Sequence, residues 1–387
     1  NYDASNTQSN ATYAATTQLM ESGGGRIDEP LMALYRHQWL NSPTTLTSYT
    51  YNSSRGPMIV TSAPSFTTAM THYGTLPVLP EVGADPAQLY SYVDQLYGQS
   101  NILTTSDSYF TGTDMFKLAQ LVPLAEQVGH TAARDRFLNE VRDELEDWFD
   151  TTDGGAGQFY YDQDWDTLIG YPDGFGSAES LNDHHFHYGY FIQSAAIVAM
   201  YDPDWASESN WGGMVELLIR DAANWERDDE TFQFMRNFDV YAGHAWASGN
   251  ALFARGNNQE SSSEAMNFAN GLIHWGSAVG DDAIRDLGIH LVTTHQAALE
   301  QYWFDVDNVI FNPAYPHPMA GIVWSDGVDY ATFFSGEPEH IQGINYLPLT
   351  AGSLYLGHRP AYVQAGYDHM VSRNGGPADD WPDLMAS

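Results

Sequence analysis

One stretch of the chain, a polar cluster followed by a long apolar run, constrains the fold most strongly. The cluster DHHFHYGY (residues 183–190) carries one carboxylate, three imidazoles and two phenols. The ten residues that follow it are mostly apolar and contain neither Gly nor Pro, so we predict a buried helix over residues 184–200. The cluster then lies at the helix N-terminus, with Asn182 or Asp183 as the N-cap and with Asp183 and His187 on one face.

Two other interpretations of this cluster are open. Asp183 would only cap the helix, and the histidines would be ordinary core groups. Alternatively, His184, His185 and His187 would bind a metal ion. Neighbouring positions on a helix point in different directions, however, and the chain has neither a cysteine nor an HExxH motif to complete a zinc site. We therefore predict no metal ion and no cofactor.

The charge balance is strongly acidic. The chain has 50 Asp and Glu residues against 14 Lys and Arg residues, for a formal net charge of −36, and Lys117 is its single lysine. Such a surface repels nucleic acid and anionic membranes, so neither is an expected partner. Self-repulsion also destabilises the compact state unless salt screens it, which favours adaptation to high salt. A calcium-binding protein is the alternative, but no EF-hand loop is present.

Length and composition indicate a globular protein. The 387 residues are 43% hydrophobic and 14% aromatic, enough for a large core and more than one domain. The absence of cysteine excludes disulfides and thiol catalysis. No apolar stretch reaches the length of a membrane span, and the polar residues 1–18 show no signal peptide.

The chain divides into three regions by its patterning. Residues 1–30 have a linker-like composition and are predicted as a linker or the remnant of a preceding domain. Residues 31–104 alternate like strands and end in a short helix, which predicts a small α/β domain. Residues 105–387 carry long helical patterns, and helix pairs of about 45 residues would repeat about six times, as in an α/α toroid. The helices predicted in this region span 114–127, 130–149, 184–200, 213–225, 241–254, 262–278, 282–303 and 340–356.

A second acidic cluster precedes the helix predicted at 262–278. Ser261 and Glu264 have the spacing of a capping box, so Glu264 has a structural explanation. Glu260 lies just before the cap, in a loop, where its carboxylate is free to reach a cleft. If one of the two is a chemical base, we therefore expect Glu260, with Glu264 positioning water.

Residues 236–249, just upstream, combine aromatic rings with hydrogen-bonding side chains. Trp and Tyr stack on the apolar face of a pyranose, while Asp, His and Asn pair with its hydroxyl groups. An aromatic stripe is often only part of a core, and Trp246 alone would be weak support. Its position between two acidic clusters favours a sugar site.

Three blocks in this order resemble the endo-β-1,3-glucanases of glycoside hydrolase family 81: NDHHFHYGY (182–190), DVYAGHAWASG (239–249) and NQESSSE (258–264). The earlier blocks LYRHQW (34–39) and GTLPVLP (74–80) are similar to landmarks of that family, and the resemblance covers about residues 31–357. It implies an (α/α)6 toroid with a small α/β domain packed against it. The implied activity is endo-acting hydrolysis, with inversion, of β-1,3 bonds in laminarin- or curdlan-like glucans.

The resemblance also implies roles for individual residues. Asp183 would be the general acid and Glu260 the general base, with Glu264 close by. We expect a monomer that acts on extracellular glucan, and the location is inferred from the polymeric substrate. The residues expected to bind the substrate are Tyr109, His187, Asp239, Tyr241, His244 and Trp246.

Two departures from the family pattern concern the first part of the chain. Family members usually carry a large N-terminal β-sandwich domain, whereas about 30 residues precede the LYRHQW block here. We therefore expect most of that domain to be missing or to lie outside this chain. Arg36 stands where the family commonly has proline, which puts only the local loop in doubt.

Other functions are open at this point. A polysaccharide lyase on a similar toroid would use Tyr and His on uronic acids, but an acidic chain is poorly suited to an anionic polymer. A glucan-binding protein without catalysis would keep the aromatic residues and need no pair of carboxylates. A metal-dependent hydrolase would lose its activity to chelators.

The acidic composition leads to a salt prediction. Raising NaCl from about 0.1 M to about 1 M shortens the Debye length from about 10 Å to about 3 Å and screens the repulsion. We expect the midpoint of thermal unfolding, followed by circular dichroism, and the activity to rise together over this range. Full stability in dilute buffer would contradict salt adaptation.

Overall fold

The fold is known from a computed structural model. Parts of the predicted N-terminal linker, namely residues 16–18, 21, 25 and 28–29, lie outside the residues that the structure describes. The described residues are 1–15, 19–20, 22–24, 26–27, 30–80, 83–100, 102–152, 155 and 157–377.

Short strands dominate the first 75 residues, and helices dominate the rest of the described chain. The α-helices are α1 Arg36–Leu40, α2 Pro86–Tyr97, α3 Ser108–Gln127, α4 Thr131–Phe149, α5 His184–Tyr201, α6 Gly213–Ala223, α7 Ser262–Val279, α8 Asp282–Tyr302, α9 Pro338–Tyr346 and α10 Pro360–Asn374. The strands are β1 Tyr2–Asp3, β2 Gln8–Ala14, β3 Leu19–Met20, β4 Arg26–Ile27, β5 Met32–Leu34, β6 Thr50–Ser53, β7 Gly56–Thr61, β8 Ser65–Thr71, β9 Gln158–Asp162, β10 Thr167–Tyr171, β11 Phe238–Asp239, β12 His244–Ala245, β13 Asn258–Gln259, β14 Ile322–Trp324 and β15 Gly327–Asp329. Short helices of other types span Glu208–Gly212 and Ala351–His358.

Helix α5 is the centre of the helical part, as its composition predicts. It is buried from His184 to Ala199, and it packs against α3 and α7, which in turn pack against α4 and α8. Two glycines permit this close packing. A Cβ atom at Gly189 of α5 would lie 3.1 Å from the Cα of Phe268 in α7, and one at Gly288 of α8 would lie 2.7 Å from the backbone nitrogen of Ile273 in α7. The backbones therefore approach too closely for larger residues.

Most helix predictions are confirmed, but the helix predicted over 241–254 is wrong. The Asp239 carboxylate accepts hydrogen bonds from the N–H groups of Tyr241 (3.0 Å) and Ala242 (2.9 Å), which closes a turn there. Gly243 then adopts a φ of +78°, and the chain continues into β12. Local side-chain bonds of this kind compete with a helix. The helix predicted over 340–356 is also interrupted, because α9 ends before Pro348.

The first part of the chain forms small antiparallel sheets. Strand β8 pairs with β2, which also pairs with β1, so residues 2–14 belong to a sheet and not to a free linker. A second sheet has the order β5-β7-β6. Arg36, at the start of α1, bonds Gln301 of α8 (2.6 Å) and Asp307 (2.9 Å), which ties this region to the helices. The exact division into domains stays a prediction.

Within the part of the chain that the structure describes, no helix combines the length and the apolar character that crossing a bilayer requires.

The close approach of α7 and α8 gives a stability prediction. Gly288→Ala should destabilise the protein by about 1–3 kcal/mol, because its Cβ meets backbone atoms that cannot move aside. The control is Gly98→Ala at the end of α2, where the nearest atom lies 3.5 Å away and the backbone is helical. There we expect a neutral or slightly stabilising effect. Urea unfolding of both variants checks this, and equal stabilities would contradict the packing argument.

Candidate active site

Asp183 begins helix α5 with an unusual backbone conformation. Its φ of 60° and ψ of 16° are left-handed, a region that Asp tolerates better than most residues. Its N–H donates to the carbonyl of Ala247 (2.8 Å). Its side chain makes no capping bond and accepts instead from the side-chain amide of Asn182 (2.7 Å). The capping interpretation is therefore wrong, and the half-buried carboxylate is free for another role.

Glu264 forms only half of the predicted capping box. The Ser261 hydroxyl accepts the N–H of Glu264 at 3.3 Å, as predicted. The Glu264 carboxylate, however, accepts hydrogen bonds from the hydroxyl groups of Tyr109 (3.0 Å) and Tyr190 (2.7 Å), both on Oε1. The side chain is thus held among phenols, away from the end of its own helix.

Backbone hydrogen bonds fix both the segment that precedes Glu260 and its carboxylate. It follows β13, whose residues Asn258 and Gln259 pair with Trp324 and Val323 of β14. Its Oε1 atom accepts the backbone N–H of Phe333 at 2.7 Å. The side chain is half-buried, as expected for a carboxylate that leaves a loop for a cleft.

The pKa values of the three carboxyl groups are all raised, and burial is the largest cause for each. Burial, then the charges of Glu264 and Glu260, raise the pKa of Asp183 well above its ordinary value. Burial, with a contribution from Glu264, raises the pKa of Glu260 to about 7, against the Phe333 N–H bond, which lowers it. Burial also raises the pKa of Glu264, against the bonds from Ser261 and the two tyrosines. The site therefore favours keeping a proton on one carboxyl while another is ionised.

Two of the residues expected to bind substrate lie beside these carboxylates. The ring of Tyr109 packs 5.2 Å from the ring of His187, and its hydroxyl bonds Glu264. His187 is buried, and its Nδ1 bonds the Ser108 hydroxyl at 2.9 Å. Asp183 and His187 lie one helical turn apart, as predicted, but the hydrogen bond of the imidazole is with Ser108. Burial favours a role for His187 behind Tyr109 and away from the substrate.

The other four residues expected to bind substrate form a second group. Backbone hydrogen bonds connect this group to the carboxyl groups. Asp239 holds the turn described above, and the Tyr241 hydroxyl donates to the carbonyl of Ala33 (2.9 Å). His244 is fully buried, and its Nδ1 bonds the carbonyl of Ala245. Trp246 is half-buried, with the guanidinium of Arg55 5.2 Å from its ring centroid.

Ala247 links the two groups. Its carbonyl accepts the Asp183 N–H, and its own N–H donates to Asn258, two residues before Glu260. Trp246 therefore directly precedes Ala247, which bridges the segment that carries Asp183 and the segment that carries Glu260.

The three histidines of the cluster have separate partners. His184 bonds Asp221 (2.9 Å) and the carbonyl of Ser177 (2.8 Å), and Arg236 also contacts Asp221. Burial would raise the pKa of Asp221, but Arg236 and His184 lower it to about 2. This buried ionic network anchors the start of α5. Among the described residues, no three His, Asp or Glu side chains converge to hold a metal ion.

Sequence reasoning missed three contacts at the site. Tyr190 lies in the quoted cluster, and its place one helical turn after His187 was the available signal. Asn182 was considered only as a cap. The Phe333 N–H is a backbone donor 73 residues from Glu260 in sequence, so no side-chain pattern indicated it.

Comparison with known proteins identifies relatives along the whole chain. The family model for the glycosyl hydrolase family 81 C-terminal domain matches residues 92–387. A glucan endo-1,3-beta-D-glucosidase from Thermobifida fusca is 48% identical over 99% of this chain and 50% of its own length. One from Acetivibrio thermocellus is 45% identical, with the same shares covered. A solved structure of glycoside hydrolase family 81 from Clostridium thermocellum, a glutamate-to-alanine mutant, has a TM-score of 0.95 at 45% identity, covering 99% of this chain and 54% of that one.

These matches confirm the predicted fold class, a mainly α fold of the (α/α)6 toroid type. The chain belongs to glycosyl hydrolase family 81. It spans about half the length of the curated relatives that it matches.

The raised pKa of Glu260 predicts a pH-dependent stability difference. Because the folded-state pKa of about 7 exceeds the ordinary value of 4.5, ionising Glu260 costs stability as the pH rises through this window. Glu260→Gln should therefore gain in unfolding midpoint relative to the parent chain between about pH 4.5 and pH 7. The control is Glu230→Gln, at an exposed position. A difference for Glu260→Gln that does not change with pH would contradict the assignment.

Proposed function

We infer that the chain hydrolyses internal β-1,3-glucosidic bonds in laminarin- or curdlan-type glucans, with inversion. The observation that carries this proposal is the pair of half-buried carboxyl groups, Asp183 and Glu260, with raised pKa values and with Glu264 coupled to both. The names of the relatives support the substrate class, because they are glucan endo-1,3-beta-D-glucosidases.

The proposed reaction needs one acid and one base. Asp183, protonated, gives its proton to the glycosidic oxygen as the bond from that oxygen to the anomeric carbon breaks. Glu260, ionised, takes a proton from the water whose oxygen bonds the anomeric carbon from the opposite face. Inverting enzymes separate the two carboxyl groups by about 6.5–9.5 Å to admit this water. Exchange of protons with solvent then restores both groups.

Glu264 has a supporting role in this scheme. Its negative charge raises the pKa of Asp183 and of Glu260, which helps Asp183 to stay protonated. Tyr109 and Tyr190 occupy Oε1 of Glu264 and leave its other oxygen to orient water. A fixed acceptor of this kind lowers the cost of ordering water in the transition state.

Substrate contacts are proposed for the accessible members of the predicted set. Tyr109, Asp239, Tyr241 and Trp246 keep surface or edge atoms available, whereas His187 and His244 are fully buried and would act by supporting their neighbours. A monomer acting on extracellular glucan without a metal ion, in a salt-rich medium, fits this proposal.

The decisive variants are Asp183→Asn and Glu260→Gln. Each should lose about a thousandfold or more of the hydrolysis of laminarin, because each removes a group that transfers a proton in the reaction. Circular dichroism and affinity electrophoresis in laminarin gels should show an intact fold and intact binding. Release of reducing ends measures activity, and the anomer of the first product, detected by chromatography or NMR, measures stereochemistry.

Further variants separate the two glutamates and test the alternatives. Glu264→Gln should lose only part of the activity, whereas a loss as complete as that of Glu260→Gln would exchange their roles. The exposed control Glu230→Gln should keep full activity. Parent-like turnover in Asp183→Asn would refute its role as the acid. Products that absorb in the ultraviolet would instead indicate a lyase, and binding without new reducing ends would indicate a non-catalytic glucan binder.

A further inference from the structure

Each proposed catalytic carboxylate is fastened to a loop that carries an exposed phenylalanine. The side-chain amide of Asn182 donates to Asp183 (2.7 Å) and also to the carbonyl of Phe175 (3.0 Å). The backbone N–H of Phe333 donates to Glu260 (2.7 Å). The rings of Phe175 and Phe333 are 57% and 53% exposed, so each presents a bare apolar face beside an acidic group.

Both rings pack against other aromatic side chains. Phe175 packs against Tyr109 at 4.8 Å and against Phe110 at 5.8 Å. Phe333 packs against Phe253 and against the buried Trp324, both at 5.8 Å. A ring supported in this way loses little conformational freedom when a ligand covers its other face.

The backbone around each ring is also fixed. Phe175 has a φ of 52°, which a bulky residue seldom adopts and which costs free energy that the surrounding structure must offset. On the other loop, the Thr332 hydroxyl accepts the N–H groups of Phe334 (3.3 Å) and Ser335 (2.8 Å), while the Thr332 N–H bonds the Ser335 carbonyl. The tight turn holds Phe333 out of the core.

Hydrogen bonds and arginine contacts hold Trp324, which packs against Phe333. Its Nε1 donates to Asp329 (2.8 Å), the Arg255 guanidinium lies 5.1 Å from its ring centroid, and its carbonyl accepts from Arg55 (2.7 Å). Arg55 lies in turn over Trp246, one of the residues expected to bind sugar. A series of aromatic side chains, joined by Arg55, therefore extends from the neighbourhood of Glu260 to Trp246.

Exposed aromatic rings are costly on a surface that is otherwise highly acidic, and they indicate a binding site when they are grouped. The apolar face of a glucose ring matches such a surface, whereas an anionic ligand would be repelled by the three nearby carboxylates. We propose that Phe175 and Phe333 are sugar-stacking residues that bind the glucan on the two sides of the bond to be cleaved. This assignment rests on the proposed glucanase function.

The arrangement separates binding from catalysis at Phe333. Its ring would contact the sugar, whereas its backbone N–H holds Glu260. Phe333→Ala removes the ring and keeps the N–H, so the position and the ionisation of Glu260 should stay the same. The ring would therefore affect KM, and the N–H would affect kcat and the acid limb of the pH profile.

The test measures kinetics and binding on laminarin oligosaccharides with the full chain. Phe175→Ala and Phe333→Ala should each raise KM about tenfold, with kcat within a factor of about three and the pH profile unchanged. Phe333→Trp should have a KM close to that of the parent chain. Phe333→Leu, which keeps apolar bulk without a ring, should have the raised KM of Phe333→Ala. The control is Tyr49→Ala, a 70% exposed ring before β6, which should behave like the parent chain.

The same substitutions in the Asp183→Asn background should weaken laminarin binding by the same factor. An unchanged KM in both alanine variants would overturn the inference, as would restoration by Phe333→Leu, because packing alone would then explain the effect. A shift in the acid limb for Phe333→Ala would also overturn it. If the parent chain neither binds nor hydrolyses laminarin, the proposed function itself fails, and that result is distinct from all of these.

Discussion

Burial of three neighbouring carboxyl groups, with charge repulsion added at Asp183 and Glu260, is the constraint on which the site depends. Asp183, Glu260 and Glu264 are partly buried, so their charges interact through protein more than through water. The starts of α5 and α7 supply the positive ends of two helix dipoles, which favour ionised groups there. Burial outweighs this effect for all three side chains, helped at Asp183 and Glu260 by the charge of Glu264, and it raises the pKa of each.

The helical scaffold has to hold these groups in place against their repulsion. It does so mostly with neutral donors: an amide at Asp183, a backbone N–H at Glu260 and two phenols at Glu264. A full positive charge would lower the pKa of its partner, as Arg236 does for Asp221. The ionic network of Asp221, His184 and Arg236 thus anchors α5, while the three carboxyl groups accept hydrogen bonds from uncharged donors. The scarcity of basic residues in the chain is consistent with this arrangement.

The sequence predicted those features that follow from local pattern. The buried helix α5, the helices around it and the two acidic clusters at helix starts all came from periodicity and capping signals. The helix predicted over 241–254 failed because Asp239 and Gly243 form a turn that apolar spacing does not register. The bond from Phe333 to Glu260 joins residues distant in sequence through a backbone group, which only the folded chain brings together.

The contacts of the first 75 residues have a consequence for where the folded unit begins. The family model begins at residue 92, yet Gln38 donates to the carbonyl of Tyr241, His37 bonds Tyr302 within the core, and Arg55 supports Trp324 beneath the Phe333 ring. A fragment cut at the start of the matched region would leave these acceptors without their donors. The smallest piece that keeps these contacts therefore includes the strands that come before the toroid.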